Sequence, residues 1–203
     1  NGTKEIYKAR RRIGALVETP AIYRDMTAKE NLKQQYRVLG LPSFDKIEEL
    51  LTLVGLSDSD KKKAGRFSLG MRQRLAIAIA LCGDPDFLVL DEPMNGLDPQ
   101  GIIEMRELIL KLNREKNMTV VLITHYMEEA VLADRVVVMD AGKILTQGTP
   151  EDVFSQAELL KKHRLDVPQA TELAYRLRGC GVKFDKLPLN AEQCVKMLEE
   201  VLS

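Results

Sequence analysis

The sequence predicts an α/β fold built on a parallel sheet, because two apolar strand segments alternate with segments of helical periodicity. Residues 87–90 are apolar throughout, a pattern typical of a strand covered on both faces. The second predicted strand, residues 119–124, is also apolar and is expected to be buried. A helix with its own capping residue precedes the first of these strands, and another helix separates the two.

The first strand ends in two adjacent carboxylates, Asp91 and Glu92. Open α/β sheets bind their ligands at the carboxyl ends of the strands. At such a place one acid can hold a Mg²⁺ ion that bridges nucleotide phosphates, and a second can orient or deprotonate an attacking water. Two acids that end a buried strand are costly unless a metal ion or hydrogen-bond donors compensate them, so the pair predicts a functional site.

The helix before that strand has a start suited to binding an anion. Ser68 is a good N-cap, and Gly70 lets a backbone approach closely. The free N–H groups of a helix start attract phosphates. Taken singly, these features are equally typical of a capped, buried helix without a ligand. The buried face is predicted from residues at helical spacing: Met71, Leu75, Ile79 and Cys82.

Local signals place the remaining elements. A strand is predicted at residues 13–17, a capping-box helix after Thr27 and a second helix at about residues 45–54. Asp98 is the predicted cap of the helix between the two apolar strands. The rest of the chain is predicted as a hairpin at residues 135–146 and three helices, which begin near Thr149, Pro168 and Asn190.

Composition narrows the class of protein. The 203 residues are 45% hydrophobic with a formal net charge of +0, so a buried core is expected and charge gives no reason to expect nucleic-acid binding. The sequence shows neither a signal-peptide pattern nor an apolar run near the roughly 18 residues of a membrane span, so membrane contact is expected through a partner. His163 is expected at the surface. The cysteines are expected to be reduced and mostly buried: Cys82, Cys180 and Cys194.

In this order, the segments resemble the ATP-binding subunits of ABC transporters. Residues 67–71, Phe-Ser-Leu-Gly-Met, resemble the family's signature sequence, and residues 87–91 followed by Glu92 resemble its Walker B strand. Residues 95–98 are similar to the D-loop, and His125 stands at the position of the switch histidine. The resemblance implies a P-loop NTPase-like sheet with an inserted helical subdomain and a C-terminal helical appendage.

The resemblance also implies the roles of these residues toward ATP and Mg²⁺. Asp91 would bind Mg²⁺, Glu92 would be the catalytic base and His125 would contact the γ-phosphate. A second subunit would hold most of the ATP that Ser68 and Gly70 contact.

Asp98 would, by the same resemblance, communicate between the two nucleotide sites of such a pair. Three residues depart from the family pattern: Leu69 replaces the first signature glycine, Met71 replaces a glutamine, and Glu18 stands where most members have the Q-loop glutamine. Glu18 can still bind a metal ion or a water and would pass motion to membrane helices, but when ionised it donates no hydrogen bond. An exposed loop acid is the alternative interpretation of Glu18.

The pattern Gly-x-x-x-x-Gly-Lys-Ser/Thr, which marks the loop that cradles ATP phosphates, does not occur in the sequence. Residues 2–6 resemble the family's segment just downstream of that loop. We therefore expect a fragment whose N-terminal part is absent and which does not bind ATP tightly alone. Calorimetry that detects micromolar ATP binding to the isolated chain would contradict this expectation.

The resemblance divides along the chain. Residues 13–117 look like bacitracin/lantibiotic-export ATPases, whereas residues 118–203 resemble energy-coupling-factor ATPases, which power cobalt, nickel or vitamin import. A natural hybrid, an artefact of assembly and a lineage that combines both patterns all remain open. The expected segments are a core remnant (1–26), a helical subdomain with the signature helix (27–83), a catalytic core (84–148) and a C-terminal helical region (149–203).

The expected function is that of an ATP-binding and hydrolysing subunit that pairs with a second ATPase subunit and with transmembrane transporter subunits at the cytoplasmic face of the membrane. One alternative is a non-enzymatic half-site partner that lends Ser68 and Gly70 to a complete subunit. Another is a soluble ABC ATPase acting on DNA or ribosomes, against which the zero net charge argues. The sequence identifies neither the solute nor the direction of transport.

Overall fold

The computed structural model describes residues 12–17, 21–59, 61–182, 184 and 186–202. The chain forms two compact units, Asn1–Ile123 and Thr124–Ser203, and each is described by itself. The predicted division into four segments stays a prediction.

The three strands predicted in the first unit are present, and they form a parallel sheet in chain order: β1 (Ile13–Val17), β2 (Phe87–Asp91) and β3 (Thr119–Ile123). One face of this sheet is buried. Leu16 of β1 and Leu88 and Leu90 of β2 lie on this face and belong to the hydrophobic core. Burial alternates along β1 and β2, so the helices of the first unit cover one face of the sheet.

The opposite face of the sheet is open in the part of the chain that the structure describes. Phe87 is 45% exposed, Val121 44% and Ile123 50%. The expectations that residues 87–90 are covered on both faces and that residues 119–124 are a buried strand are therefore wrong for the described residues. A parallel sheet in an α/β protein is normally covered on both faces, so this open apolar face is unusual.

Four helices of the first unit frame the buried face: α1 (Ala28–Leu39), α2 (Ile47–Leu53), α3 (Leu69–Leu81) and α4 (Pro99–Lys116). The capping box predicted for α1 is present, because Thr27 accepts a hydrogen bond from the Glu30 N–H and the Glu30 side chain accepts one from the Thr27 N–H. Gly40 ends α1 with a left-handed φ of 65°. The second helix begins two residues later than expected, after Lys46.

A buried polar side chain fixes the segment that leads into α1. The Asn31 side chain accepts a hydrogen bond from the Tyr23 N–H (2.8 Å) and donates to the carbonyls of Tyr23 (3.0 Å) and Thr27 (2.9 Å). Asn31 is almost completely buried, and these bonds offset the cost of its burial. The loop before α1 is thereby tied to the first turn of the helix.

The second unit combines a hairpin with short helices. Strands β4 (Val136–Asp140) and β5 (Lys143–Gly148) are antiparallel and are joined by Ala141 and Gly142, both with left-handed φ. Its core contains Phe154 and Leu160. The helices are α5 (Met127–Ala130), α6 (Pro150–Phe154), α7 (Ala157–Lys162), α8 (Gln169–Gly179) and α9 (Ala191–Leu202).

Polar side-chain contacts link elements within the second unit. His163, expected as a surface residue, lies 2.6 Å from the Asp140 carboxylate and is only partly exposed. Glu172 of α8 pairs with Lys161 of α7 and with Arg176, which hold the pKa of the Glu172 carboxyl below its ordinary value.

The cysteine prediction is confirmed in part. All three thiols are free; Cys82 and Cys194 are buried, but Cys180 is exposed. Across the described stretches of the chain, no helix combines the length and the apolar character that a membrane span requires.

Candidate active site

The carboxyl ends of the parallel strands lie at one edge of the sheet, where Val17, Asp91 and Ile123 are in register. Asp91 is half-buried and Glu92 follows it directly. The structure therefore places the predicted acid pair at the edge where α/β sheets bind ligands.

Glu92 holds an uncommon backbone conformation. Its φ is 49°, in the left-handed region that costs a non-glycine residue about 1–2 kcal/mol. Two hydrogen bonds hold this conformation: the Glu92 N–H donates to the Ile123 carbonyl (2.9 Å), and the Glu92 carbonyl accepts from the Asn95 N–H (3.1 Å). The chain thus leaves β2 through a fixed turn.

The predicted helix start at Ser68 is present. The Ser68 hydroxyl accepts a hydrogen bond from the Met71 N–H (3.2 Å), and Ser68 itself is exposed. The Arg72 guanidinium donates to the Phe67 carbonyl (2.6 Å) and fixes the residue before the cap. A Cβ added to Gly70 would lie 3.7 Å from the Leu97 side chain, so Gly70 has ordinary space around it.

Residues 92–97 form two successive turns between β2 and α4. The Leu97 N–H donates to the carbonyl of buried Met94 (3.1 Å). The Asp98 carboxylate accepts from the Gly101 N–H (3.0 Å) and caps α4, as the sequence predicts. A Cβ on Gly101 would lie 2.7 Å from that carboxylate, so a larger residue here would require the Asp98 side chain to shift.

The starts of α3 and α4 border a common cleft of about 370 Å³. Leu69 and Gly70 approach Gly96 and Leu97 across its mouth. The structure thus brings together three of the predicted site residues, Ser68, Gly70 and Asp98, in one cleft. Its lining comprises Ser68, Leu69, Gly70, Met71, Arg74, Gly96, Leu97, Asp98, Gln100, Gly101 and Glu104.

Sequence reasoning missed the ion pair between Arg74 of α3 and Glu104 of α4, both of which line this cleft. The sequence signal that could have indicated this pair is the equal spacing of the two residues from their helix caps. Arg74 follows the cap Ser68 by six residues, and Glu104 follows the cap Asp98 by six residues. This equal spacing predicts an ion pair only once the two helices are known to pack side by side.

The positions of two other predicted site residues relative to this site stay predictions. Glu18 lies outside the described residues. His125 belongs to the second unit, where it is exposed and its ring lies 4.2 Å from that of Tyr126. The expectation that His125 contacts the γ-phosphate stays a prediction. No group of three or more His, Cys, Asp or Glu side chains that could hold a metal ion occurs within the described part of the chain.

The sheet, the acids that end its middle strand and the capped helix starts define an α/β protein of the P-loop NTPase type. A family model described as "ABC transporter" matches residues 2–95. The energy-coupling factor transporter ATP-binding protein EcfA1 of Clostridium perfringens is 37% identical over 199 residues, which cover 96% of this chain and 71% of that protein. The chain belongs to the ABC transporter family of ATP-binding proteins.

Other relatives agree with both resemblances found in the sequence. EcfA1 of Symbiobacterium thermophilum is 45% identical over 167 residues, which cover 81% of this chain and 58% of that protein. The bacitracin transport ATP-binding protein BcrA of Bacillus licheniformis is 47% identical over 138 residues, 68% of this chain and 45% of that protein. The chain thus spans about half the length of these curated relatives.

A solved structure gives the same fold. The cbiO1 protein of Clostridium perfringens, described as part of the ABC transporter complex cbiONQ, matches with a TM-score of 0.68 and 27% identity. The match covers 86% of this chain and 70% of that one. The predicted fold class and the predicted family are confirmed.

Proposed function

We propose that this chain contributes the catalytic part of an ATP-hydrolysing subunit in an ABC transporter. The observation that carries the proposal is the placement of Asp91 and Glu92 at the carboxyl end of the middle parallel strand, with a fixed turn after them. Strained backbone at a ligand-binding edge is typical of functional sites. Glu92 is the proposed base that orients or deprotonates the attacking water.

Asp91 is the proposed ligand of Mg²⁺. Its half-buried carboxylate at the sheet edge fits a hard cation, which prefers oxygen donors and usually binds one or two carboxylates together with substrate phosphates and waters. When bound, the ion would neutralise charge on the transferred phosphoryl group. A larger protein cluster is not required for this mode of binding.

Ser68 and Gly70 are the proposed contacts to ATP held mainly by a second subunit. The exposed cap and the free N–H groups at the start of the 13-residue helix α3 support this role. Asp98, in the same cleft, is proposed to link the two nucleotide sites. His125 and Glu18 are proposed as the γ-phosphate contact and the link to membrane subunits.

The sequence pattern of the phosphate-binding loop is not among these 203 residues, and we propose that additional polypeptide supplies it. The open apolar face of the sheet supports the presence of further polypeptide in the working protein. We place that protein at the cytoplasmic face of a membrane, with transmembrane subunits and a second ATPase subunit.

A fusion tests the catalytic proposal. The chain is joined behind the phosphate-loop segment of Clostridium perfringens EcfA1, and ATP turnover and ATP binding are measured for the fusion and its Glu92→Gln variant. Turnover is expected to fall about 100-fold or more while binding is retained. Glu115→Gln, an isosteric change on the exposed side of α4, is the matched control and leaves turnover unchanged. Retained turnover in Glu92→Gln would remove Glu92 as the base.

A second candidate function is a non-enzymatic half-site partner, which the exposed Ser68 cap favours. Here the unfused chain is titrated into a complete ABC ATPase subunit and phosphate release is measured. The half-site function predicts stimulation that Ser68→Ala reduces and Glu92→Gln leaves intact. Without stimulation by the wild-type chain, the half-site function is excluded.

A further inference from the structure

Helices α3 and α4 start beside each other, and contacts between them begin at their first residues. Leu69 and Gly70, at the start of α3, lie against Gly96 and Leu97, just before α4. Each helix start is defined by one side-chain cap, Ser68 for α3 and Asp98 for α4. Any shift of one helix along the other would therefore separate two caps that now face the same cleft.

Arg74 and Glu104 lie at corresponding positions along these two helices. Each follows the cap of its own helix by six residues, which is about 9 Å along an α-helix. The Arg74 guanidinium pairs with one oxygen of the Glu104 carboxylate, and the other oxygen accepts a hydrogen bond from Gln100 at 3.1 Å. Both carboxylate oxygens of Glu104 are thus used within the cleft.

The Arg74 side chain is held from a second side. It is 21% exposed, against 42% for Glu104. A Cβ on Gly55 would lie 2.9 Å from an Arg74 nitrogen, so the left-handed glycine after α2 leaves the space that the guanidinium fills. The planar, fixed shape of arginine suits a group that is packed on one side and paired on another, whereas a lysine would lose this geometry.

We propose that Arg74 and Glu104 form a positioning pair that fixes the starts of α3 and α4 side by side. Ser68 and Asp98 are thereby held together in the cleft. The proposal rests on the proposed function for its consequence, because both caps belong to the predicted nucleotide-binding surface. The pair itself touches no reacting group and acts through the two helices.

A charge-reversal cycle tests the pair on the chain as it exists. The variants are Arg74→Glu, Glu104→Arg and the double variant that carries both changes. The readout is NMR hydrogen exchange of the Met71 and Gly101 amides. These amides donate the capping bonds to Ser68 and Asp98. Each single variant is expected to speed hydrogen exchange at both amides about fivefold. The double variant is expected to return both hydrogen-exchange rates to within about twofold of the wild type.

The ion pair between Glu49 and Lys116 is the matched control, because it joins α2 to the opposite end of α4. The exchange of charges at Glu49 and Lys116 should leave the Met71 and Gly101 amides unchanged. The proposal is overturned if the single variants at Arg74 and Glu104 leave both capping amides unchanged. It is equally overturned if the single variants speed hydrogen exchange at the Leu32 amide of α1 by the same factor. The same holds if the double variant does not restore the hydrogen-exchange rates of the capping amides.

A second readout joins the pair to function. In the titration with a complete ABC subunit, the single variants should lower the maximal rate of phosphate release more than they raise the half-saturating concentration, and the double variant should restore the rate. If the wild-type chain gives no stimulation, only the half-site function fails. The hydrogen-exchange measurements on the charge-reversal variants still test the positioning pair.

Discussion

Leu69 and Gly96 are in direct contact, although 27 positions separate them in the sequence. A Cβ added to Gly96 would lie 3.2 Å from the Leu69 side chain, and Gly96 has a φ of 74°. The left-handed φ favours a glycine in the turn after β2, and the nearby Leu69 side chain leaves little room for an added Cβ. Leu69 stands where the family pattern has a glycine, and its side chain lies against this turn.

Gly96→Ala is expected to lower the free energy of unfolding by about 2 kcal/mol. The left-handed φ costs an alanine about 1 kcal/mol, and the contact with Leu69 adds to that cost. Urea unfolding at constant pH measures the change. Gly40→Ala is the matched control, because Gly40 has a φ of 65° and nothing within 4 Å of an added Cβ.

The Leu69→Ala background separates the two causes. In that background the cost of Gly96→Ala should fall to that of Gly40→Ala, since only the backbone term is left. An unchanged cost would contradict the contact between Leu69 and Gly96.

Gly14→Ala is expected to destabilise the first unit by about 1–3 kcal/mol, because an added Cβ would collide with the Ala80 carbonyl oxygen and lie 3.3 Å from Leu88. Gly14 is buried in β1 and lets the backbone of α3 approach the sheet. Thermal unfolding measures the effect. Ala15→Val, on the exposed face of the same strand, is the control and should change stability by less than about 0.5 kcal/mol. Equal effects at the two positions would contradict the close approach of α3.

The open face of the sheet should accept polar residues. Val121→Thr and Ile123→Thr are expected to change the free energy of unfolding by less than about 0.5 kcal/mol, because both side chains already contact water. Leu90→Ala, on the buried face, is expected to cost about 2–5 kcal/mol. Urea unfolding measures stability, and sedimentation velocity should show less self-association in the threonine variants. A large loss in those variants would mean that the face is covered.

Sequence reasoning succeeded where the signal is local. The caps at Thr27, Ser68, Asp98 and Thr149 are all present, because each depends on residues within a few positions of the cap. The acid pair could be placed at the sheet edge because strand direction alone fixes it.

Sequence reasoning failed where distant segments decide the outcome. The apolar run at residues 87–90 predicted burial on both faces, yet cover depends on which helices pack on the sheet. The pair of Arg74 with Glu104 and the pair of His163 with Asp140 join segments 30 and 23 residues apart. No periodicity in the sequence reports such contacts.

The thiols should differ in reactivity. Cys180 is exposed, whereas Cys82 is buried and its thiol donates to the Ala78 carbonyl (3.4 Å). A disulfide reagent at pH 8 should modify Cys180 in the folded chain and reach Cys82 only after unfolding, as peptide mass mapping would show. Cys180→Ala should abolish the fast reaction, and rapid labelling of Cys82 in the folded chain would contradict its burial.

Cys82 should also make stability depend on pH at the alkaline end. Burial raises the pKa of the Cys82 thiol from its ordinary value of 9.0 to about 12, because the thiolate loses its hydration. Below pH 9 the thiol is protonated in both states, and its contribution to stability is fully present. As the pH rises above 9, the unfolded chain releases this proton while the folded chain retains it, so the free energy of unfolding declines until the pH reaches about 12. Urea midpoints for the wild type and Cys82→Ala between about pH 8 and 10.5 measure this decline, and the wild type should lose more stability than the variant, because alanine removes the titrating group. Parallel curves would mean that the Cys82 thiol titrates alike in the folded and unfolded chains.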